Sequence, residues 1–402
     1  MTAIGVLGGY GSVGRATVAQ LRAWGLGPVV VAGRDPGRAD AVLDVDRPDS
    51  VRRFCASVGL VVNCTASPPP SRAAVAAAAV AAGVPYVDPG GDEPVHELLS
   101  GARPDRPVVL SAGMLPGLTA LLPRRVVTGD GDRLVCYVGG QDRFSLGGAA
   151  DYLAAVTGSV GRTFAVWRDG RRVERAGAPV LDGEVPYFSE PARGVPYLSA
   201  EMERLARRLR LAELVCYTVL PGVRLRETLA GAGADAVDAE AVVRASELDL
   251  FGRTRYQRLV FQSRGDPAGP TLIVTGRGSS ELTGATAATT ALAVLDGRVP
   301  PGLHFAADAL DPGWAGRRLR MADAVTEFRT VEAGRPASAP PAPCAGPPAR
   351  SAGSPAPCAA PSAGSPAPCA APSAGSTRPA VPAGPTAGAA IDPVDGMEEG
   401  AL

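Results

Sequence analysis

The sequence predicts an α/β chain: a doubly wound parallel sheet, an inserted α+β domain and a disordered C-terminal tail. Three observations lead there. An apolar run, Ile4 to Leu7, breaks into Gly8-Gly9-Tyr10-Gly11-Ser12-Val13-Gly14 and passes into a helical pattern with Val13, Ala16, Leu21 and Trp24 on one face. Short apolar runs then alternate with helical stretches as far as Ser111. From Ala333 onward, Pro, Ala, Ser and Gly replace bulky side chains, and SAGSPAPCAAP at 351–361 recurs at 362–372.

Composition sets the bounds. With 402 residues and 46% hydrophobic content, the chain can bury a sizeable core, and its length allows about two or three domains. Formal net charge is zero, so electrostatics gives no reason to expect nucleic acid or an anionic membrane as partner. Every basic residue is an arginine. Without lysine, Tyr-x-x-x-Lys dehydrogenase chemistry, Schiff-base chemistry and P-loop phosphate binding are excluded. The first strand begins within a few residues of Met1, and no apolar run reaches the roughly 18 residues of a membrane helix. A cytoplasmic protein is expected. The seven cysteines form no C-x-x-C pair and the only histidines are His96 and His304, so no metal site is expected. Cys55, Cys64, Cys136 and Cys216 read as small buried hydrophobes.

The glycine turn gives the first functional expectation. Gly9, Gly11 and Gly14 have G-x-G-x-x-G spacing: one permits the tight turn, one lets a pyrophosphate approach the backbone, and one lets helix and strand pack closely. Tyr10, Ser12 and Val13 complete a turn whose N–H groups face the phosphates of a dinucleotide. The second strand, Pro28 to Ala32, ends at Gly33-Arg34-Asp35, about twenty residues past the glycines. Arg34 can fork onto a 2′-phosphate, which favours NADP(H). Asp35 can instead accept from the ribose hydroxyls, which keeps NAD(H) open, and an exposed arginine with no ligand is the plain alternative.

The remaining elements follow in order. Ala41 to Val45 reads as a short strand that brings Asp44 near the adenine, and Ser50 to Ser57 as a helix. Gly59 to Cys64 is an apolar strand running into Asn63-Cys64-Thr65-Ala66-Ser67, after which Pro68, Pro69 and Pro70 stop the chain. In an open parallel sheet the ligand lies beyond the carboxyl ends of the strands, so Asn63, Thr65 and Ala66 should touch the cofactor. A helix (Arg72 to Ala82), a strand and turn (Val84 to Asp92), a helix (Val95 to Leu99) and a strand (Pro107 to Ser111) complete the unit.

Beyond it, Arg133 to Gly140, Thr163 to Arg175 with an Asp169-Gly170 hairpin turn, Leu214 to Leu220, Tyr256 to Ser263 and Thr271 to Gly276 read as strands. Helices Gly147 to Val160, Ser199 to Leu211 and Val237 to Leu250 lie between them. Ser279 to Leu295 is a small-residue helix, followed by a loop through His304 and a closing segment, Arg317 to Val331. The expected domains are a dinucleotide-binding domain at 1–125, an α+β substrate domain at 126–285, a return helix and closing segment packing on the first domain at 286–332, and the tail at 333–402.

Four motifs in order, GGYGSVGR, AGRDPGRA, VVNCTASPP, and YVDPGGD followed by SAGMLPGLTALLPR, resemble those of the saccharopine dehydrogenase-like oxidoreductases. The resemblance spans roughly residues 1–160 and is topological from there to about 330. It implies a Rossmann domain, an inserted α+β domain and a late helix returning to the first domain. Carried onto this chain, the cofactor roles fall on Gly9, Gly11, Gly14, Arg34 and Asn63 to Ala66. Saccharopine-acting members use basic residues including lysine, which this chain lacks, so the resemblance points away from saccharopine. It points to NADP(H)-dependent reduction of a C=N bond in a small or carrier-protein-bound intermediate of bacterial specialised metabolism. Reduction of C=C or a ketone, or a non-catalytic dinucleotide sensor, are the alternatives, and the α+β domain leaves room for a homodimer formed through it.

Hydride transfer also needs a proton donor or acceptor. Asp88, Tyr152 and His304 are the catalytic candidates, and Tyr86, Asp142 and Arg143 the substrate-binding ones. Each has a plainer reading: Asp88 capping its turn, Tyr86 and Tyr152 packing in a core, Asp142 pairing with Arg143, and His304 sitting in a loop.

Overall fold

The computed structural model describes residues 3–156, 161–231, 237–264 and 269–332. The tail at 333–402, with its repeats and Cys344, Cys358 and Cys369, lies outside the described residues.

The chain runs β1 (Ile4–Leu7), α1 (Ser12–Ala23), β2 (Val29–Gly33), β3 (Ala41–Val42), α2 (Pro48–Ser57), β4 (Leu60–Asn63) and α3 (Pro69–Ala81). It continues through β5 (Tyr86–Val87), α4 (Glu93–Leu99), β6 (Pro107–Leu110), α5 (Leu118–Leu121), β7 (Arg133–Gly139), α6 (Leu146–Val156), β8 (Gly161–Thr163), β9 (Val166–Arg168) and β10 (Arg171–Val173). Then come β11 (Val180–Gly183), β12 (Ala192–Ser199), α7 (Ala200–Arg208), β13 (Glu213–Leu220), α8 (Val223–Gly231), α9 (Ala239–Leu250) and β14 (Gln257–Ser263). The last elements are β15 (Thr271–Gly276), α10 (Ser279–Leu295), β16 (Gly302–Phe305), α11 (Ala306–Ala309), α12 (Pro312–Arg320) and β17 (Val325–Val331).

The first sheet is parallel throughout, in the order β16-β6-β5-β4-β1-β2-β3. The order reverses at β1, so a crevice opens between the carboxyl ends of β1 and β4, where a doubly wound sheet holds its ligand. Both faces are covered: β1, β4 and β6 are buried along their whole length. Pro69 and Pro70 do not stop the chain. They form the first turn of α3, where a missing N–H costs nothing and the fixed φ suits a helix.

The second sheet follows the path β10-β9-β13-β7-β14-β15-β17, with β12, β11 and β8 attached at β13. It is mixed rather than wholly antiparallel, because β7 and β13 run parallel. The Asp169-Gly170 hairpin turn forms as read, with both residues at positive φ (50° and 79°).

The late segment divides between the sheets. The stretch read as a loop through His304 contains β16, a seventh parallel strand on the edge beside β6. It pairs on one side only and includes Gly302 and His304, so it carries little apolar signal. β17 joins the second sheet beside β15, so the closing segment does not pack on the first domain alone.

Helix α10 locks the return. Its small side chains are buried along nearly the whole length, and a β-carbon on Gly284 would lie 2.6 Å from Ala16 Cβ and from the Thr17 backbone nitrogen in α1. The buried hydroxyls of Thr286, Thr289 and Thr290 donate to the carbonyls four residues back, at 2.7–3.0 Å, so no polar group is stranded. Gly284→Val should therefore lower the unfolding free energy by about 1–3 kcal/mol in urea titrations, through overpacking. An unchanged midpoint would mean that α1 and α10 do not meet so closely.

Candidate functional site: the carboxyl edge of the parallel sheet

The glycine turn is built as its spacing implies, with one shift. The left-handed residue after β1 is Gly8 (φ 67°), not Gly9. A β-carbon on Gly14 would sit 2.7 Å from Gly9 Cα and closer still to the Gly8 carbonyl, so only glycine lets α1 start this near the strand end. Gly11 is the N-cap, without a side-chain cap, and leaves the N–H groups of Ser12, Val13 and Gly14 to an anion.

At the end of β2, the Tyr10 ring lies over Gly33, where any β-carbon would overlap it. The Tyr10 hydroxyl accepts from Asp35 N–H (3.2 Å). Arg38 stacks over the ring, 4.5 Å from its centroid, and donates to the Tyr10 carbonyl (3.0 Å). Asp35 Oδ1 accepts from Gly37 N–H (2.9 Å), so that carboxylate already caps its own turn. Arg34 and Arg38 are both exposed here. Arg38 was legible only as the second arginine of AGRDPGRA. Asp44 accepts from Asp46 N–H (3.2 Å) just past β3.

The β4 end is held by a side chain that the sequence did not single out. Arg72 of α3 donates to the Thr65 carbonyl (2.5 Å), the Ser67 carbonyl (2.8 Å) and Asp88 Oδ1 (2.5 Å). Asn63 Oδ1 accepts from the Thr65 backbone (3.2 Å) and hydroxyl (2.7 Å), and Asn63 Nδ2 donates to the Tyr86 hydroxyl (2.8 Å). Tyr86 in turn donates to Asp88 Oδ2 (2.8 Å). Cys64 is inert: burial first of all pushes its thiol up to about 12.

This network corrects several expectations. Asp88 is completely buried, and Oδ1 also accepts from Gly90 N–H (2.8 Å) and Gly91 N–H (2.9 Å). It organises the turn, through Arg72, Tyr86 and the two glycine N–H groups. Tyr86 is equally buried and packs in the core beneath the loop, held by Asn63 and Asp88. Asp142 Oδ2 accepts from Ser279 N–H (2.5 Å) at the start of α10, and Arg143 pairs with Glu247 at 2.6 Å. His304 turns its Nε2 back to the carbonyls of Pro300 (3.1 Å) and Pro301 (3.3 Å), away from the carboxyl ends of the strands.

What covers the crevice comes from the second domain. A β-carbon on Gly147 would lie 3.4 Å from Ala66 Cβ, so the first turn of α6 sits over the cofactor loop. Asp151 is one helical turn on, on the same face. Burial raises its carboxyl above the ordinary value, and the Arg72 guanidinium opposes that rise. Tyr152 meets Phe144 edge to face at 5.6 Å; burial pushes its hydroxyl up to about 12, opposed by Arg193. On β12, Arg193, Val195 and Tyr197 share one face, with Arg193 opposite Leu220 and Val195 opposite Thr218 of β13. Tyr197 lies towards the first domain: its hydroxyl is pushed up to about 12 by burial, then by Cys216 and by Asp92 beyond β5. Asp151 was missed, because only the approach of α6 to this edge marks it.

Helix α7 fixes the second sheet in place through one stripe, Glu201, Arg204 and Arg208. Arg204 pairs with Asp92 (2.8 Å) and Glu93 of the first domain and lies 3.7 Å over the Phe305 ring, and Arg208 pairs with Asp308. Glu201 is buried, with Oε1 accepting from Gly117 N–H (2.6 Å) and Oε2 2.6 Å from Thr119 Oγ1, which lies 3.3 Å from the Met114 carbonyl. Burial, then Asp92, raises the carboxyl to about 8. Thr119 Oγ1 donates to Glu201 Oε2, which with the Gly117 N–H favours the carboxylate, but burial favours the neutral acid and prevails.

Because the folded value lies above the ordinary 4.5, this stabilisation is complete below about pH 4.5 and is lost as pH rises through about 8. Glu201→Gln mimics the neutral acid. Between about pH 6 and about pH 9 the variant should lose less of its thermal midpoint than the parent. Parallel losses would show that Glu201 does not titrate in this range.

Comparison with known proteins agrees with this geometry. Residues 4–103 match the family model of the saccharopine dehydrogenase NADP binding domain. The chain is similar to the saccharopine dehydrogenase (L-Glu forming) of Saccharomyces cerevisiae, at 15% identity and a TM-score of 0.58, over 82% of this chain and 100% of that one. It is also similar to a homospermidine synthase of Legionella pneumophila solved in complex with NAD, at 9% identity and a TM-score of 0.50, over 82% of this chain and 91% of that one. At these identities the likeness is one of fold. Among curated proteins no match was found. No helix among the described residues is long and apolar enough to cross a membrane. The glycine cradle fits a dinucleotide, and the cofactor of such a domain is NADP(H); the N-terminal domain of this chain is a saccharopine dehydrogenase-like NAD(P)-binding domain.

Proposed function

We propose that this chain is an NADP(H)-dependent oxidoreductase that reduces the C=N bond of a small or carrier-bound intermediate in bacterial specialised metabolism. The observation that carries the reading is the approach of α6 to the cofactor loop, which brings Gly147 against Ala66 and Asp151 within electrostatic reach of Arg72. The bound cofactor supplies a hydride to the carbon and a proton reaches the nitrogen, so C=N becomes CH–NH. Asp151 is the better source of that proton, because it is exposed one helical turn beyond Gly147 and within electrostatic reach of Arg72, whereas Tyr152 holds its proton to about 12. Arg72 keeps the loop beneath α6 fixed. The dehydrogenase named among the structural matches supports the choice of an oxidoreductase.

Preference for NADPH rests on Arg34 with Arg38 beside it, and on Asp35 being occupied by its own turn. Arg34→Ala should weaken NADPH binding at least tenfold in a fluorescence titration and leave NADH nearly unchanged, since a guanidinium–phosphate contact contributes about 1.5–3 kcal/mol. An equal loss for both would contradict it. In a screen of imines, and of 2-oxo acids mixed with amines, the parent should oxidise NADPH. Asp151→Asn should bind NADPH normally while losing about a hundredfold or more in kcat. Full activity in that variant would remove Asp151 from the mechanism.

A further inference from the structure

The α8–α9 end of the second domain leaves three apolar side chains in solvent. Phe251, the residue that closes α9, is 91% exposed, and Leu248, one turn earlier, is 66% exposed. Val223 at the start of α8 is 47% exposed. The three are neighbours, because the Asp249 carboxylate caps α8 by accepting from Arg224 N–H (2.9 Å) and Leu225 N–H (2.8 Å). A contiguous apolar cluster inside a polar rim marks a protein contact, whereas single exposed side chains do not. Beneath it, the core shared by α6, α8 and α9 is thin, built among the described residues from Ala149, Leu220, Leu225, Val242 and Ala245.

We infer that this cluster is the interface of a homodimer, in which Phe251 of each copy packs on Leu248 and Val223 of the other about a twofold axis. The charges around it favour a second copy. Arg224 pairs with Glu227 (3.4 Å), Arg244 with Asp238 (3.9 Å) and Arg253 with Glu190 (2.6 Å), so these rim pairs carry both signs and no excess. A polyanion, an anionic membrane or an acidic protein finds no field there to draw it in. The same surface turned by a twofold rotation is electrically neutral as well, and offers guanidinia to carboxylates across an isologous contact. Over two copies the exposed parts of the six apolar side chains sum to on the order of 700 Å². With an apolar share a little over half, the whole contact reaches roughly 1,200 Å², the low end of specific interfaces. Covering the cluster also extends the thin core on which α6 rests. The inference concerns assembly and is independent of the oxidoreductase reading.

Sedimentation equilibrium of the full chain over micromolar loading concentrations is the test. The parent should sediment at twice the chain mass. Phe251→Asp and Leu248→Asp should each raise the dimer dissociation constant by about thirtyfold or more, because each puts a charge into the centre of the contact. Phe251→Leu should keep most of the dimer. Met321→Asp, at a residue 67% exposed elsewhere on the chain, should leave the equilibrium unchanged. Far-UV circular dichroism should match the parent in every variant, since each position is exposed; if Phe251→Asp misfolds, Leu248→Asp carries the test. A monomeric parent, a dimer that survives both aspartates, or a dimer that Met321→Asp weakens equally would each overturn the assignment. So would a mass that climbs past the dimer with concentration, because an isologous contact closes at two copies.

Discussion

One buried guanidinium decides the shape of the carboxyl edge. Arg72 is only 14% exposed, faces a fully buried Asp88, and holds the two carbonyls of the β4 loop at the same time. Removing either partner would strand a buried charge, which typically costs about 3–5 kcal/mol. The pair therefore works as a unit with Tyr86 and Asn63, and links the ends of β4 and β5 into one rigid floor. The residues expected to touch the cofactor, Asn63, Thr65 and Ala66, owe their positions to it.

Two helices set the roof over that floor. Helix α10 returns from the second domain and lies so close to α1 that glycine is required where they cross. Helix α7 spends one whole stripe on contacts with the first domain, and its buried Glu201 joins Gly117 and Thr119. The second sheet cannot slide freely over the first. The chemistry proposed above the β4 loop accordingly depends on distant glycines and threonines as much as on the residues beside it.

The parts of this arrangement that could be read from the sequence are those set by local physics. The Gly14 position, the Asp169-Gly170 hairpin and the whole length of α10 follow from backbone sterics and apolar spacing. The strand ends facing the cofactor follow from the rule that ligands bind at carboxyl ends. Where the reading failed, the cause was tertiary. Asp88 looks free in YVDPGGD until Arg72, sixteen residues earlier, closes on it. His304 looks like a loop histidine until β16 pairs with β6 and turns its ring back. Asp151 has no local signature, and becomes visible only when α6 is laid over the edge.

The most direct test of the account is a crystal structure with NADP+ bound. The account predicts the pyrophosphate on the N–H groups of Ser12 to Gly14, the 2′-phosphate at Arg34 and Arg38, and the nicotinamide beyond Thr65 with Asp151 above it. A dinucleotide bound elsewhere, or a nicotinamide end closed off by α6 with no room for a substrate beside it, would contradict the account.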